Sequence, residues 1–247
     1  AAQAVDLLTH LDGNLATGAA ENLSKLNRER QQIQRDIIDS ALSQIEEKKL
    51  NEQPIIILQD DEWARGVVGV AAGKCIETYY RPTILLSGDG EDLVGSARSI
   101  SGFSMFDALS VCQEHLIKYG GHDMAAGLTL KRESFEAFVT AMTTYAKETI
   151  TKEQLIQTAK PDVIADLHEI THTVAVEIEK IGPFGIGNPI PVVQVMNVKV
   201  SDVRAMGKEG SHLSLKIGDE RIRCIWWGHG SLVNKIASGS RIHLVGK

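Results

Sequence analysis

Leu23, Leu26, Ile33, Ile37, Ala41 and Ile45 recur at steps of three, four or seven residues, the repeat of one helical face. The first proline is Pro54, so nothing breaks a helix before it. The pattern predicts one helix from about Glu21 to Leu50, long for a globular helix and suited to connecting two bodies. Asn27, Arg28, Arg30, Gln31, Gln34 and Arg35 are polar positions spread around it.

From Pro54 the pattern changes. Ile55-Ile56-Ile57-Leu58 and Thr83-Ile84-Leu85-Leu86 are short apolar runs of the kind that form strands buried on both faces. Between them, Gly66 to Tyr80 reads as a helix with Gly66, Gly69, Ala72 and Gly73 on one side, small enough for close approach. Gly88-Asp89-Gly90 marks a turn and Leu93–Ser99 a third strand. Phe106, Leu109 and Leu116 mark a helix expected to end at Gly120-Gly121. Leu128-Thr129-Leu130 is a strand, and Phe135, Phe138, Met142 and Tyr145 lie on one more helix. Alternating strands and helices predict an α/β unit over 51–160, ending in a polar linker at Thr151–Pro161.

Beyond it lie a short helix at Val174–Ile181 and a stiff loop with Pro183, Pro189 and Pro191. Period-two strands follow at Val193–Val195, Val198–Val203, Leu213–Ile217, Ile222–Trp226 and Ile242–Val245, with a short helix at Ser231–Ala237. Short strands with one small helix predict an OB-fold-like barrel over 161–247, truncated at its C-terminal end.

Composition narrows the class. Of the 247 residues, 43% are hydrophobic and 23% charged, as in soluble globular proteins. No apolar run reaches membrane-span length and no signal peptide is apparent. Cys75, Cys112 and Cys224 are far apart and form no CxxC pair, which points to a reducing cytoplasm. The net charge of -6 argues against a broadly basic nucleic-acid binder. The acidity sits in the first two segments, because residues 161–247 carry ten basic and nine acidic side chains.

Two short stretches carry candidate chemistry. In Gly120-Gly121-His122-Asp123-Met124-Ala125-Ala126-Gly127, the glycines allow a turn whose backbone N–H groups converge on an anion. His122 would then donate to a phosphate oxygen, while Ala125 and Gly127 leave room for a ligand. A helix end with a satisfied histidine explains the same residues equally well. In Gly95-Ser96-Ala97-Arg98-Ser99, strand alternation puts Ser96 and Arg98 on one face. Arg98 would clamp a phosphate, with the Ser96 and Ser99 hydroxyls adding bonds, or Arg98 would simply lie in solvent.

These stretches, together with Leu26-Asn27-Arg28-Glu29-Arg30-Gln31, Trp63 with Gly66–Ala71, and Pro183-Phe184-Gly185-Ile186-Gly187-Asn188-Pro189, resemble the RecJ family of single-strand-specific exonucleases, within the DHH/DHHA1 phosphoesterases. The resemblance implies a connector helix over 1–50, a DHHA1-like domain over 51–160 and an OB-like domain over 161–247. It implies that the whole protein is a 5′-to-3′ exonuclease acting in DNA repair and recombination. Its Mn or Mg would be held by a DHH domain that this sequence lacks, since no Asp-His-His motif occurs here. No catalytic residue and no metal ligand is assigned to this chain, and it is expected to be inactive alone. Ser96, Arg98, Ser99, Gly120, Gly121, His122, Ala125 and Gly127 would bind substrate phosphate. The resemblance implies single-stranded DNA as partner, with a single-stranded-DNA-binding protein or a helicase beside it, and no membrane.

His168-Glu169-Ile170-Thr171-His172 matches the HExxH metalloprotease spacing. The β-branched residues in and after it weaken a helix there, so it is read as non-metal. In the last third, alternation groups Arg221, Arg223, Ile225 and Trp227 on one face and the apolar Ile222, Cys224 and Trp226 on the other. The first set would track phosphates and stack a base, with Trp227 as a barrel plug being the opposing expectation. Two other functions fit the sequence: a non-catalytic module for single-stranded DNA or a protein, and a DHHA1-type phosphodiesterase of small nucleotides.

Overall fold

The computed structural model describes residues 2–9, 13–185, 187–218 and 222–247. The chain divides into two compact units, residues 1–157 and 158–247. In the first, α1 (Ala2–Thr9) precedes α2 (Gly13–Glu47). Only the end of α2 is packed: Ile37, Ala41 and Ile45, at four-residue steps, are buried with Trp63, Ala71, Ala72 and Cys75. In the earlier turns the rest of the apolar stripe is uncovered, with Leu15, Leu26 and Ile33 exposed, and polar pairs such as Lys25–Glu29 and Gln32–Asp36 run along the surface. Among the described residues, no helix is long and apolar enough to cross a membrane.

A five-stranded sheet follows, built from β1 (Ile56–Asp60), β2 (Thr83–Ser87), β3 (Asp92–Arg98), β4 (Lys118–His122) and β5 (Ala125–Lys131) in the order β1-β2-β3-β5-β4. The strands β1 and β2 are parallel, joined through α3 (Val68–Tyr79); the other pairs are antiparallel. One sheet face is covered along its length by α4 (Met105–Val111) and α5 (Phe135–Thr149). Leu93, Ala97, Ala126, Leu128 and Leu130 meet Met105, Leu109, Phe138 and Met142 there. Each fully buried Leu, Met or Phe among them contributes about 1.5–3 kcal/mol.

The other face is treated unequally. Ile56, Leu58 and Leu85 lie under α3 and the end of α2. Further across, the same face turns polar and then loses its side chains, at Ser96, Arg98, Ala125, Gly127 and Gly120.

The helix expected to run to Gly120-Gly121 stops at Val111. A single 3₁₀ turn at Gln113–His115 follows, and both glycines lie inside β4. They form a tight hairpin with β5 around Asp123-Met124, because the carbonyls of Asp123 and Met124 accept from Met105 N and Ser99 N and anchor the turn to the preceding loop.

The second unit contains β6 (Val163–Ala165), α6 (His172–Glu179), β7 (Val193–Met206), β8 (His212–Ile217), β9 (Ile222–Trp226) and β10 (Arg241–Gly246). They form a sheet ordered β10-β7-β8-β9, with β6 parallel to the start of β7. The two strands expected at Val193–Val195 and Val198–Val203 are one long strand, irregular at Asn197, whose φ is 54°, and between Val200 and Asp202. The sheet is not closed into a barrel among the described residues. Its core is Val195, Val198, Val200, Leu213, Leu215 and Ile217.

Candidate nucleic-acid interface

The uncovered part of the first sheet is organised by register. Arg98, Ala125 and His122 are direct partners across β3, β5 and β4, and so are Ser96, Gly127 and Gly120. Directly opposed residues project to the same side, and so do residues two apart. Of the candidate phosphate ligands, Ser96, Arg98, Gly120, His122, Ala125 and Gly127 therefore share one face, whereas Gly121 pairs with Ala126 on the opposite side. Arg98 and His122 stand two strand spacings apart, roughly 9–10 Å between backbones. Lys118 and Thr129 extend the same face by one more row.

The floor between them is bare for a reason that packing does not supply. A Cβ at Gly120 would meet nothing within 4 Å, and one at Gly127 would meet only Gly95 O, at 3.9 Å. Both positions could carry a side chain without a clash, so the glycines keep a shallow groove open. Gly121 differs: its φ is 147°, and a Cβ there would stand 2.5 Å from Ala126 Cα. It serves the close hairpin rather than the groove. Because these glycines lie in a strand, their N–H groups alternate in direction and do not converge as an anion-binding turn.

Arg98 is half-buried and held in place. Its Nη1 donates to Ser96 Oγ and to the carbonyl of Ala97, each at 2.9 Å. Among the described residues, no carboxylate pairs with it. The first turn of α3 lies against it: a Cβ on Gly69 would be 2.9 Å from Ser96 Oγ and 3.1 Å from Arg98 Nη2. Of the small residues noted along this helix, Gly69 is the one whose missing side chain admits the β3 polar pair; Gly66 and Gly73 face open space. No side chain caps this end of α3, which leaves a positive helix terminus beside Arg98. His122 is exposed at the hairpin end.

Ser99 stands apart from the other candidates. It is buried, and its hydroxyl donates to Phe103 O at 2.6 Å. It supports the loop and does not face the groove. Lys118 and Gly69 were not singled out from the sequence as groove residues, because only the register and the helix placement bring them there; Thr129, in the Lys118 row, is buried.

On the second unit, β8 sends Leu213, Leu215 and Ile217 into the core and His212, Ser214 and Lys216 outward. The partners of the outward set are Met206, Arg204 and Asp202 on β7, and Ile225 and Arg223 on β9. Arg223 lies along this face, donating from Nε to Ser214 Oγ at 3.0 Å. Trp227 is 64% exposed and meets the His212 ring edge-on at 4.9 Å between centroids. It is therefore not a barrel plug. The face combines Arg204, Lys216 and Arg223 with Trp227, and Arg204 and Lys216 were missed because they belong to other strands. Arg221 lies outside the described residues.

One grouping changes. Trp226, expected in the core, is 48% exposed and stacks on His229, with centroids 4.4 Å apart and rings inclined by 21°. Leu232, Val233 and Ile236, from the 3₁₀ turn at Gly230–Asn234 and just beyond it, fill the core instead.

The HExxH spacing does not produce one helical face. His168 belongs to a 3₁₀ turn at Leu167–Glu169, and the Thr171 hydroxyl caps a separate helix that begins at His172. Among the described residues, no three His, Cys, Asp or Glu side chains converge closely enough to hold a metal ion. All three cysteines are free thiols. Burial pushes those of Cys75 and Cys112 up to about 11.

Residues 52–148 match the DHHA1 domain model and residues 161–247 the RecJ OB domain model. The chain is 36% identical over 248 residues to a single-stranded-DNA-specific exonuclease RecJ of Bacillus subtilis, covering 99% of this chain and 31% of that protein. It is 28% identical to RecJ of Thermus thermophilus over 94% of this chain and 33% of that one. Crystal structures of T. thermophilus RecJ with Mg2+ and with Mn2+ superpose with TM-scores of 0.79 and 0.80 at 26% identity. They are covered to 36% and 35%, with 99% of this chain included. The chain thus spans about a third of the length of the relatives it matches. The residues described here do not fit the divalent ions held in those crystals. A DHHA1 domain followed by a RecJ OB domain, in one chain that aligns over 99% of its own length with about a third of RecJ, places the chain in the RecJ family, in the portion carrying those two domains.

Proposed function

We propose that this chain is the strand-binding portion of a 5′-to-3′ single-stranded-DNA exonuclease of repair and recombination. In this reading the divalent metals and the hydrolytic step belong to the remainder of the protein. The carrying observation is the pair of side-chain rows, Ser96–Gly127–Gly120 and Arg98–Ala125–His122, laid across three strands with a floor that two glycines keep open.

Arg98, oriented by Ser96, offers its remaining N–H groups to a phosphate, and His122 offers a second donor from across the groove. Bare backbone between them lets a sugar–phosphate chain approach closely. The cation and indole face of the OB domain continues the same chemistry on a separate unit: arginines for phosphates, Trp227 for a base. The free thiols support a reducing, cytoplasmic setting. A single-stranded-DNA-binding protein or a helicase would act as its protein partner.

The test is equilibrium binding of the 247-residue chain to labelled single-stranded and duplex DNA across a salt series. Preference for the single strand is expected, with a salt slope that decreases in Arg98→Gln and in Arg223→Gln. Equal binding to duplex, or variants with unchanged affinity and slope, would overturn the reading. Incubated with Mn²⁺ or Mg²⁺, the chain should release no nucleotides; metal-dependent release that survives repurification would contradict the assignment of hydrolysis to the rest of the protein.

A further inference from the structure

Trp226 and Trp227 are consecutive, yet they end up on opposite sides of β9. Trp226 pairs with Leu213 and so lies on the core side of the sheet; Trp227 touches His212, on the outer side. Both indoles are open to solvent, which is costly for the largest apolar side chain. Each is braced by an imidazole. His229 stacks flat on Trp226, and its Nδ1 lies 2.7 Å from the carbonyl of Trp227. His212 meets Trp227 edge-on, and its Nδ1 accepts from Gly228 N at 3.0 Å. Gly228, at φ 75°, makes the bend that returns His229 over Trp226. The turn is locked further on, because Gly230 packs against the carbonyl of Gly210 so closely that no side chain fits.

A braced ring with one face free is a stacking platform, and two of them back to back span the sheet edge. We infer that the end of β9 is a two-sided clamp for single-stranded nucleic acid, with one base stacked on the free face of Trp226 and a neighbouring base on Trp227. The inference rests on the reading of the outer OB face as a strand-binding surface and adds a second, opposite platform to it. It implies that the strand turns around the β9 edge instead of staying on the outer face, with Arg223 holding the backbone on the outer side. Stacking tolerates any base, so the clamp grips without reading sequence. His229 is a positioning residue: it holds the Trp226 ring and touches no base.

Tryptophan emission reads each platform separately. The chain has three tryptophans, and Trp63 is 5% exposed with its Nε1–H donated to Ser40, so it is shielded from DNA. In Trp227→Phe the responsive emitter is Trp226, and in Trp226→Phe it is Trp227. Titration of the 247-residue chain with a short oligothymidylate should quench both variants, whereas an abasic oligonucleotide of equal charge should quench neither. Trp226→Ala should weaken binding roughly five- to a hundredfold with an unchanged melting temperature. His229→Ala should weaken it in the same direction, and His229→Phe, which preserves the stack, should restore it. Quenching of Trp227 alone overturns the two-sided clamp and leaves the outer-face reading standing. Quenching of neither indole overturns both. Equal quenching by the abasic strand also overturns the clamp, because backbone contact would then suffice.

Discussion

Gly120 and Gly121 are neighbours in one strand, and the structure assigns them opposite consequences when each becomes alanine. At Gly121 the backbone sits at φ 147°, which L-residues rarely adopt, and the new Cβ would press on Ala125 O and stand 2.5 Å from Ala126 Cα. Backbone strain of this kind costs about 1–3 kcal/mol. Overpacking against a neighbouring strand adds about 1–3 kcal/mol. The expected loss is about 2–6 kcal/mol, or roughly 4–24 °C in Tm for a unit of this size. At Gly120 the Cβ would meet nothing, and φ lies outside the left-handed region. Gly120→Ala should therefore be neutral, or stabilising by up to about 1 kcal/mol through the unfolded chain. Its effect belongs to the groove: Gly120→Leu should keep the melting temperature and weaken single-strand binding about tenfold or more, since a side chain then occupies the floor. Thermal melts followed by Trp63 emission in a Trp226→Phe, Trp227→Phe background report on the first unit alone, and fluorescence anisotropy reports binding. Comparable destabilisation at both glycines, or unimpaired binding by Gly120→Leu, would refute the reasoning.

Other consequences follow from single contacts. Ser99→Ala should cost about 1–3 kcal/mol by orphaning the buried Phe103 carbonyl, while DNA affinity stays unchanged; a binding defect at constant stability would return Ser99 to the groove. Gly69→Ala should displace Arg98 and Ser96 and weaken single-strand binding more than it lowers Tm, as anisotropy beside a melt would register. Cys75 and Cys112 have folded-state thiol values near 11, above their ordinary 9.0, so the unfolded chain loses those protons first. Their contribution to stability is complete below about pH 9 and declines between about 9 and 11. Urea midpoints across that window should fall in the parent and fall less in Cys75→Ala; a parallel decline would refute the assignment.

Much of the fold was legible because its signals are local. The apolar runs at Ile55–Leu58 and Thr83–Leu86, and the four-residue steps at Ile37, Ala41 and Ile45, declare a buried strand or a helical stripe by period alone. The Gly120-Gly121 hairpin was not legible in the same way. A glycine pair after a helical pattern also reads as a helix end, and what decides is the anchoring of Asp123 and Met124 by a distant loop. The site divides along the same line. Ser96 and Arg98 share a face by alternation within one strand, and that much is sequence. Their alignment with Gly127, Gly120 and His122 depends on pairing between strands, which no spacing encodes. Trp226 shows how alternation fails at a strand end. Period two put it in the core, but the residues just after Gly230 filled that space, and the indole was left outside on His229.

The central claim is that the bare face of the first sheet carries the nucleic-acid backbone. Hydrogen exchange of the 247-residue chain, with and without saturating single-stranded DNA, tests it most directly. The account predicts that DNA slows exchange in residues 94–98 and 118–127 and in the first turn of α3, and that Arg98→Gln abolishes that change while the OB domain stays protected. DNA-dependent protection confined to the OB domain, or to the face covered by α4 and α5, would contradict it.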